Sequence, residues 1–204
     1  MEFFNEIFSS NLLFGSITIP FKSYLIDLAK NKLTNNFLLN NSNSYNQNRQ
    51  NLIFSSESLE INAVNTIKKF NKNKIFCYNT DFIANYEILS QCLKKLNKEI
   101  SKIKILIIGA GGAANAVLYS IKQINFHLEN LYIFNRTEKN AKILANKYEV
   151  NLFKIHENNK NNEIFDIVIS TVPRDTDKNF FKFLLEGISE NTILLDLAYS
   201  VKDF

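Results

Sequence analysis

The chain has 204 residues, of which 46% are hydrophobic, and a formal net charge of +4, so it can form one sizeable core or two small ones. The positive charge is small and dispersed, with no array of basic and aromatic residues, which argues against a nucleic-acid partner. No apolar run reaches the roughly 18 residues that span a membrane, and the start MEFFNEIF lacks the basic stretch that begins a secretory signal.

The first elements that the sequence predicts are short. Residues 2–9 place apolar side chains at helical spacing, and residues 15–19 alternate as a strand. Pro20 stands where a helix can begin. The apolar face of that helix consists of Phe21, Leu25 and Leu28.

A polar, Asn-rich segment follows, from Asn31 to about Ser58. Its low complexity predicts an insertion without fixed structure, at about residues 35–56. The patch Leu52–Phe54 is apolar enough to pack locally. The rest has little apolar area to offset the entropy of ordering it, so we expect the insertion to be dispensable.

Two further strands and a long helix complete the first half. The strands are expected at residues 63–68 and 74–78, and Thr80 or Asp81 is expected to cap the helix. Two cysteines are too few for a disulfide framework, so we expect both to be buried in a reducing, cytoplasmic compartment. The helix has one apolar stripe, formed by Phe82, Tyr86, Leu89, Leu93 and Leu96.

The second half alternates strands and helices, which predicts a doubly wound parallel sheet. We therefore expect an α/β protein with two domains, at residues 1–99 and 100–204, the second of which has a Rossmann-type sheet. The sequence does not indicate an oligomeric state. The five strands are expected near residues 103–108, 131–134, 151–155, 166–170 and 192–196.

Three of the five glycines lie in the hexapeptide 109–114, GAGGAA, between an apolar strand and a predicted helix. This is the context of a dinucleotide-binding turn. Gly109 permits the tight turn, Gly111 removes the Cβ that would block a pyrophosphate, and Ala114 lets the helix pack on the strand. The N–H groups of the first helical turn then face the phosphates.

The second strand of this half ends in Asn135-Arg136-Thr137. An acidic side chain at this place binds the 2′-hydroxyl of NAD, whereas an arginine with small polar neighbours suits a 2′-phosphate. The sequence therefore predicts NADP as the cofactor. Thr137 can also cap the following helix.

Candidate chemistry in the first half lies in three short segments at the ends of predicted strands: 16–22, 63–66 and 78–81. Lys22 and Asp81 are a candidate pair for proton transfer to or from a substrate hydroxyl. Taken singly, Lys22 is better explained as a surface lysine and Asp81 as a helix cap.

Five motifs of this chain resemble, in order, those of the shikimate dehydrogenase family. That family's pattern reads N-V-T-x-P-x-K, A-V-N-T, N-T-D, G-A-G-G-A and N-R-T, and the resemblance covers roughly residues 2–199. The family reduces 3-dehydroshikimate to shikimate with NADPH in aromatic amino-acid and chorismate biosynthesis, so the resemblance implies this activity. The motifs here are SITIPFK (16–22), AVNT (63–66), NTD (79–81), GAGGA (109–113) and NRT (135–137).

The resemblance also implies a role for each matched residue. Lys22 and Asp81 would be the catalytic dyad, and Thr18 and Asn65 would hold substrate hydroxyls. Tyr199 would lie near the nicotinamide and the substrate. The implied cofactor contacts are Gly109, Ala110, Gly111, Gly112 and Ala113 at the pyrophosphate, Asn135, Arg136 and Thr137 at the adenosine ribose and its 2′-phosphate, and Leu197.

The chain departs from the family pattern in several places. Ser16 replaces the usual Asn, and Asn140 stands where many NADP-using members have a second arginine. The family's serine-rich turn for the substrate carboxylate and its C-terminal helix, which carries a glutamine, have no match. The resemblance thus implies a chain shortened at both ends, and we expect it to bind NADPH normally and the substrate weakly.

Two alternatives to an active shikimate dehydrogenase remain. One is a degenerate, non-catalytic member that retains only the fold and nucleotide binding. The other is a related reductase, such as one of tetrapyrrole synthesis, which is disfavoured because no catalytic cysteine context precedes the glycine turn.

Overall fold

The computed structural model describes residues 13–18, 21–27, 51–154, 164–172 and 188–197. The chain divides into two compact units, Met1–Asp81 and Phe82–Phe204. The predicted helix at residues 2–9 and Tyr199 lie outside the described residues. The domain boundary expected after residue 99 stays a prediction.

The first unit contains a four-stranded mixed sheet in the order β1-β3-β4-β2. β3 runs antiparallel to β1 and β4, and β2 runs parallel to β4. Side chains alternate across the sheet, so one face forms the core together with Leu25, Ile26 and Val64. The strands are β1 (Phe14–Ser16), β2 (Asn51–Phe54), β3 (Thr66–Asn71) and β4 (Lys74–Tyr78).

Residues 51–58 correct the prediction of an insertion without fixed structure. β2 pairs with β4, with Leu52 opposite Ile75, and the Leu52 side chain is buried in the core. Helix α1 (Ser56–Ile61) follows, and the Ser55 hydroxyl caps it by accepting the N–H of Ser58 at 3.2 Å. The prediction was wrong here because it was based on the average composition of the segment, which is polar although the segment contains one short apolar strand and one capped helix.

The segments around β1 and β3 also differ in detail from the sequence prediction. β1 ends at Ser16 and β3 begins at Thr66. The backbone groups just outside these strands bond to loop residues instead; for example, Val64 N–H donates to the Lys22 carbonyl at 2.7 Å. A helical turn occupies residues 24–27. Its apolar face contains Leu25, whereas the side chain of Phe21 is 57% exposed.

The second unit contains five parallel strands in the order β7-β6-β5-β8-β9. This confirms the predicted doubly wound sheet, although β7 is only two residues long. The chain leaves β5 toward one edge of the sheet and returns to β8 on its other side, so a topological switch point lies between β5 and β8. The strands are β5 (Ile105–Ile108), β6 (Leu131–Phe134), β7 (Asn151–Leu152), β8 (Ile167–Ser170) and β9 (Ile193–Asp196).

Three longer helices follow β4 in the described residues: α2 (Asp81–Lys95), α3 (Gly112–Gln123) and α4 (Glu138–Tyr148). Leu89 and Leu93 of α2 are buried as predicted, but Tyr86 of the predicted stripe is exposed and Asn85 is buried instead. Thr137 occupies the N-cap position of α4, yet its side chain makes no capping hydrogen bond, contrary to the prediction.

Both cysteines are free thiols. Cys77 is buried, as expected, and burial raises the pKa of its thiol to about 12. Cys92 is only half-buried, which corrects the expectation for that residue. None of the helices in the described ranges is long and apolar enough to cross a membrane.

Candidate functional site

The first unit brings Lys22 and Asp81 together, although they are 59 residues apart in the chain. Lys22 Nζ donates to Asp81 Oδ2 at 2.7 Å, and the two side chains are 20% and 35% exposed. The pair is thus partly shielded from water while remaining open to a ligand. A lysine ammonium has three donors, so one can serve Asp81 while another reaches a ligand oxygen.

Asn65 is the third member of this cluster. Its Nδ2 donates to Asp81 Oδ1 at 2.7 Å, so each carboxylate oxygen of Asp81 accepts from a different side chain. Asn65 is buried, with 8% of its surface exposed. Its position follows from the sheet, since Asn65 N–H donates to the Tyr78 carbonyl at the adjacent end of β4 at 3.0 Å.

Three donors converge on the other end of the Asn65 amide. Thr66 Oγ1 and the backbone N–H of Thr80 each donate to Asn65 Oδ1 at 2.9 Å, and Thr80 Oγ1 donates to it at 3.2 Å. Sequence reasoning pointed to the segments 63–66 and 78–81, but it considered Thr80 only as a helix cap and assigned no role to Thr66. The available signal was their place directly after Asn65 and directly before Asp81.

Asn79 orients the start of α2 and had no predicted role either. Its side chain is almost fully buried; Nδ2 donates to the Ala63 carbonyl at 3.1 Å, and Oδ1 accepts the N–H of Asp81 at 3.0 Å. An Asn that accepts a backbone N–H two residues on forms an Asx turn. This turn sets the direction in which the chain enters α2 and therefore the position of Asp81, its first residue.

Thr18 lies in the turn between β1 and Lys22. Its carbonyl accepts the N–H of Phe21 at 2.9 Å, and its side chain is exposed. The structure thus places Thr18 on the same connection as Lys22. Its predicted contact with a substrate hydroxyl stays a prediction.

In the second unit, Gly109 directly follows β5 and has a φ of +110°, a conformation that favours glycine. Its N–H donates to the Phe134 carbonyl at 2.8 Å. A Cβ placed here would overlap the hydroxyl of Thr171, which itself donates to the Ile108 carbonyl at 2.8 Å. Gly109 therefore serves the packing of the turn against the end of β8, a contact that sequence reasoning missed.

Gly111 differs from Gly109 because no heavy atom of the described residues lies within 4 Å of a Cβ built there. Gly111 is the N-cap of α3, and Gly112, Ala113 and the rest of the first turn carry no acidic side chain. Half-buried Ala110 precedes it, and Ala114 is fully buried. Among the described residues, the space beside Gly111 at the positive end of α3 is thus open, which fits an anionic phosphate.

The segment after β6 lies at the same carboxyl edge of the sheet. Asn135 Nδ2 donates to the Thr137 carbonyl at 3.0 Å, which closes a turn around Arg136. Arg136 and Thr137 are exposed. The guanidinium is thus available to a ligand beside the glycine turn.

Leu197 follows β9, and its N–H donates to the Ser170 carbonyl at 2.8 Å. This bond extends the pairing of β9 with β8 by one residue past the end of β9. It places half-buried Leu197 at the carboxyl edge of the sheet, where the glycine turn also lies. The contact between Leu197 and a cofactor stays a prediction.

Comparison with known proteins gives consistent results. The sequence model of the shikimate / quinate 5-dehydrogenase family matches residues 91–198. Relatives named shikimate dehydrogenase (NADP(+)) occur in Buchnera aphidicola subsp. Schizaphis graminum, 38% identical, and in Aquifex aeolicus, 32% identical. Each alignment covers 69% of this chain but only 50% and 49% of the respective relative, so the chain spans about half the length of these curated relatives.

A solved structure gives the same answer for the fold. The crystal structure of shikimate dehydrogenase from Aquifex aeolicus matches with a TM-score of 0.68 and 25% sequence identity, over 98% of this chain and 63% of that one. The family match covers more than half of the 204 residues. The chain therefore belongs to the shikimate / quinate 5-dehydrogenase family.

Proposed function

We propose that this protein is an NADP-dependent shikimate dehydrogenase, an oxidoreductase that reversibly reduces 3-dehydroshikimate to shikimate. Family membership and the names of the two curated relatives support this proposal. The observation that carries it is the contact of Lys22 with Asp81 at 2.7 Å. The proposal includes a substrate domain at residues 1–99, an NADP domain at residues 100–204 and a place in aromatic amino-acid biosynthesis.

Lys22 is the proton donor in this proposal. In the reductive direction its ammonium gives a proton to the carbonyl oxygen of the substrate as the carbonyl becomes an alcohol; in the oxidative direction the neutral amine takes the proton back. Asp81 fixes the position of Lys22, because its Oδ2 accepts from Lys22 Nζ at 2.7 Å. A positioned general acid of this kind contributes about 10²–10⁴-fold to a rate.

Asn65 and Asp81 are proposed to bind the substrate as well as to order Lys22. An Asn amide has two N–H donors, and one of them is used on Asp81 Oδ1. The second can donate to a substrate hydroxyl, while the Asp81 carboxylate can accept from one. Thr18 and Tyr199 are proposed as further contacts, as the family resemblance implies.

The residues of the second unit fit NADP. The open space at Gly111 admits a pyrophosphate, and the N-terminus of α3 provides backbone donors and a positive helix end. We propose that residues 109–113 hold the pyrophosphate, Asn135–Thr137 the adenosine ribose with its 2′-phosphate, and Leu197 the nicotinamide end. NADPH, when bound, supplies the hydride for the reduction.

The proposal also includes the substrate class and the cellular location. The substrate is a small molecule, and the location is cytoplasmic, which the two free thiols support because disulfides are rare in that compartment. A non-catalytic member of the family is disfavoured, because Lys22 and Asn65 each keep a hydrogen bond to Asp81.

The test is turnover of the purified protein with 3-dehydroshikimate and NADPH, followed by the loss of NADPH absorbance. Quinate with NADP⁺ serves as the competing substrate in the oxidative direction. We expect Lys22→Ala to lose about 10²–10⁴ in kcat and to bind NADPH like the unmodified chain, since Lys22 belongs to the first unit.

Lys74→Ala is the matched control, because Lys74 is an exposed lysine at the start of β4 in the same unit. It should turn over at the unmodified rate. Wild-type turnover by Lys22→Ala would contradict the role of Lys22. No turnover by the unmodified chain, with NADPH bound, would favour a member that only binds nucleotide.

A further inference from the structure

We propose that the hydroxyls of Thr66 and Thr80 are positioning groups that fix the Asn65 amide, and through it the Asp81–Lys22 pair. This inference rests on the proposed function, because the aligned pair is the one that would transfer the proton. Neither threonine needs to contact the substrate or the cofactor.

The orientation of the Asn65 amide follows from the nature of its neighbours. The backbone N–H of Thr80 can only donate, so the atom 2.9 Å from it must be the acceptor Oδ1. The opposite end of the amide lies 2.7 Å from a carboxylate oxygen of Asp81, which calls for the donor Nδ2. The reversed amide would place donor against donor at Thr80 and oxygen against carboxylate at Asp81.

Two hydroxyls strengthen this preference. Thr66 Oγ1 and Thr80 Oγ1 lie 2.9 Å and 3.2 Å from Asn65 Oδ1, and 3.4 Å from each other. Together with the Thr80 N–H they surround the amide oxygen with three donors. Because Thr66 belongs to β3 and Thr80 directly precedes α2, the amide is held by two separate elements.

The consequence reaches Lys22 through the carboxylate. Asn65 holds Asp81 Oδ1, so the plane of the carboxylate is fixed and Oδ2 faces Lys22 Nζ at 2.7 Å. If the amide could turn, the carboxylate could rotate and the partly exposed ammonium would move toward water. The threonine hydroxyls therefore determine how often Lys22 is aligned to give up its proton.

The experiment uses the full chain with Thr66→Val, Thr80→Val and the double variant, each of which removes a hydroxyl while nearly keeping the side-chain shape. Thr66→Ser and Thr80→Ser keep the hydroxyl. Thr192→Val is the matched control, since it removes a hydroxyl that donates to the Phe165 carbonyl at 2.8 Å in the second unit. For each protein, kcat, the melting temperature and the hydrogen exchange of the Asn65 side-chain amide are measured, the last by NMR.

We expect kcat to fall about 5-fold for each single Val variant and about 30-fold for the double variant, as follows from roughly one ordinary hydrogen bond lost per hydroxyl. The Ser variants should stay within about twofold of the unmodified chain, and Thr192→Val should not change kcat. Exchange of the Asn65 amide should become at least about tenfold faster in the double variant.

A double variant with unchanged kcat and unchanged exchange would overturn the inference, as would a lower melting temperature with kcat per folded molecule unchanged. Failure of the proposed function is a separate result, in which the unmodified chain has no turnover. The amide exchange then decides alone: faster exchange in the double variant supports the inference, and equal exchange overturns it.

Discussion

Gly109 and Gly111 are two residues apart in the same turn but are glycines for different reasons. Gly109 has a positive φ and would overlap Thr171 if it carried a Cβ, whereas Gly111 has a φ of −94° and faces open space. We expect Gly109→Ala to cost about 1–3 kcal/mol from backbone strain alone. At roughly 2–4 °C per kcal/mol for a chain of this size, thermal denaturation should detect it.

Gly111→Ala serves as the matched variant for this experiment. It should lower the melting temperature less than Gly109→Ala does, because Gly111 is an N-cap without a positive φ. It should also weaken NADPH binding about tenfold or more, because its Cβ would occupy the space proposed for the pyrophosphate. Calorimetric titration measures this affinity. Equal effects of the two substitutions on stability and on affinity would contradict the assignment of separate roles.

Arg136 is the residue on which NADP preference depends in this proposal. A guanidinium that contacts the 2′-phosphate contributes about 1.5–3 kcal/mol as a charge-assisted hydrogen bond. Arg136→Ala should therefore weaken NADPH binding about 10- to 150-fold and leave NADH binding nearly unchanged. Lys142→Ala, an exposed cation on α4, is the control and should alter neither affinity. Equal affinity of the unmodified chain for NADP and NAD would argue against this role.

The contact between Lys22 and Asp81 fits the sequence prediction that residue type and motif order place both in one site, and their role in proton transfer stays a prediction. The roles of Thr66 and Thr80 could not be predicted, because they depend on strand register. β3 and β4 pair so that Thr66 lies opposite Tyr78, which brings the residues that follow β4 back to Asn65. A linear motif contains the residue types but not this register, and only the register shows which atom of the amide is surrounded by donors.

At the scale of elements, β2 is an edge strand that contributes to the core but was not predicted from the sequence. Leu52 is 7% exposed and packs in the core of the first unit. We expect Leu52→Ala to lower the free energy of unfolding by about 2–5 kcal/mol, the usual cost of such a truncation in a core. Leu59→Ala on α1 is the matched control, because Leu59 is 36% exposed and should cost under about 1 kcal/mol.

Chemical denaturation of both variants measures the difference. An equal cost for the two leucines would mean that β2 contributes little to the fold, as the polar composition suggested. The dispensability of the Asn-rich insertion remains a prediction only for residues 35–50, because β2 and α1 account for the rest. The strands of the second unit were easier to predict. β5, for example, is buried along its whole length and forms a continuous apolar run.

At the scale of the whole molecule, the residues proposed for proton transfer and those proposed for NADP binding lie in different units. The first contains the contacts of Lys22 with Asp81, and the second contains the glycine turn and Arg136. Helix α2 joins these units in sequence, beginning at the last residue of the first. Sequence periodicity finds such a helix easily but does not indicate which unit it packs with, so the expected boundary after residue 99 needs its own experiment.

The contacts made by residues 82–98 predict the outcome of that experiment. The Phe82 and Tyr119 rings meet edge to face at a centroid distance of 5.3 Å. Ser120 Oγ donates to the Phe82 carbonyl at 2.8 Å. Lys98 forms an ion pair with Asp166 at 2.8 Å. A fragment of residues 82–204 keeps all three contacts, and a fragment of residues 100–204 loses them. The aromatic pair and one hydrogen bond together represent roughly 1–3 kcal/mol. We therefore expect the longer fragment to melt several degrees higher, with NADPH binding retained in both; equal melting temperatures would instead support a boundary after residue 99.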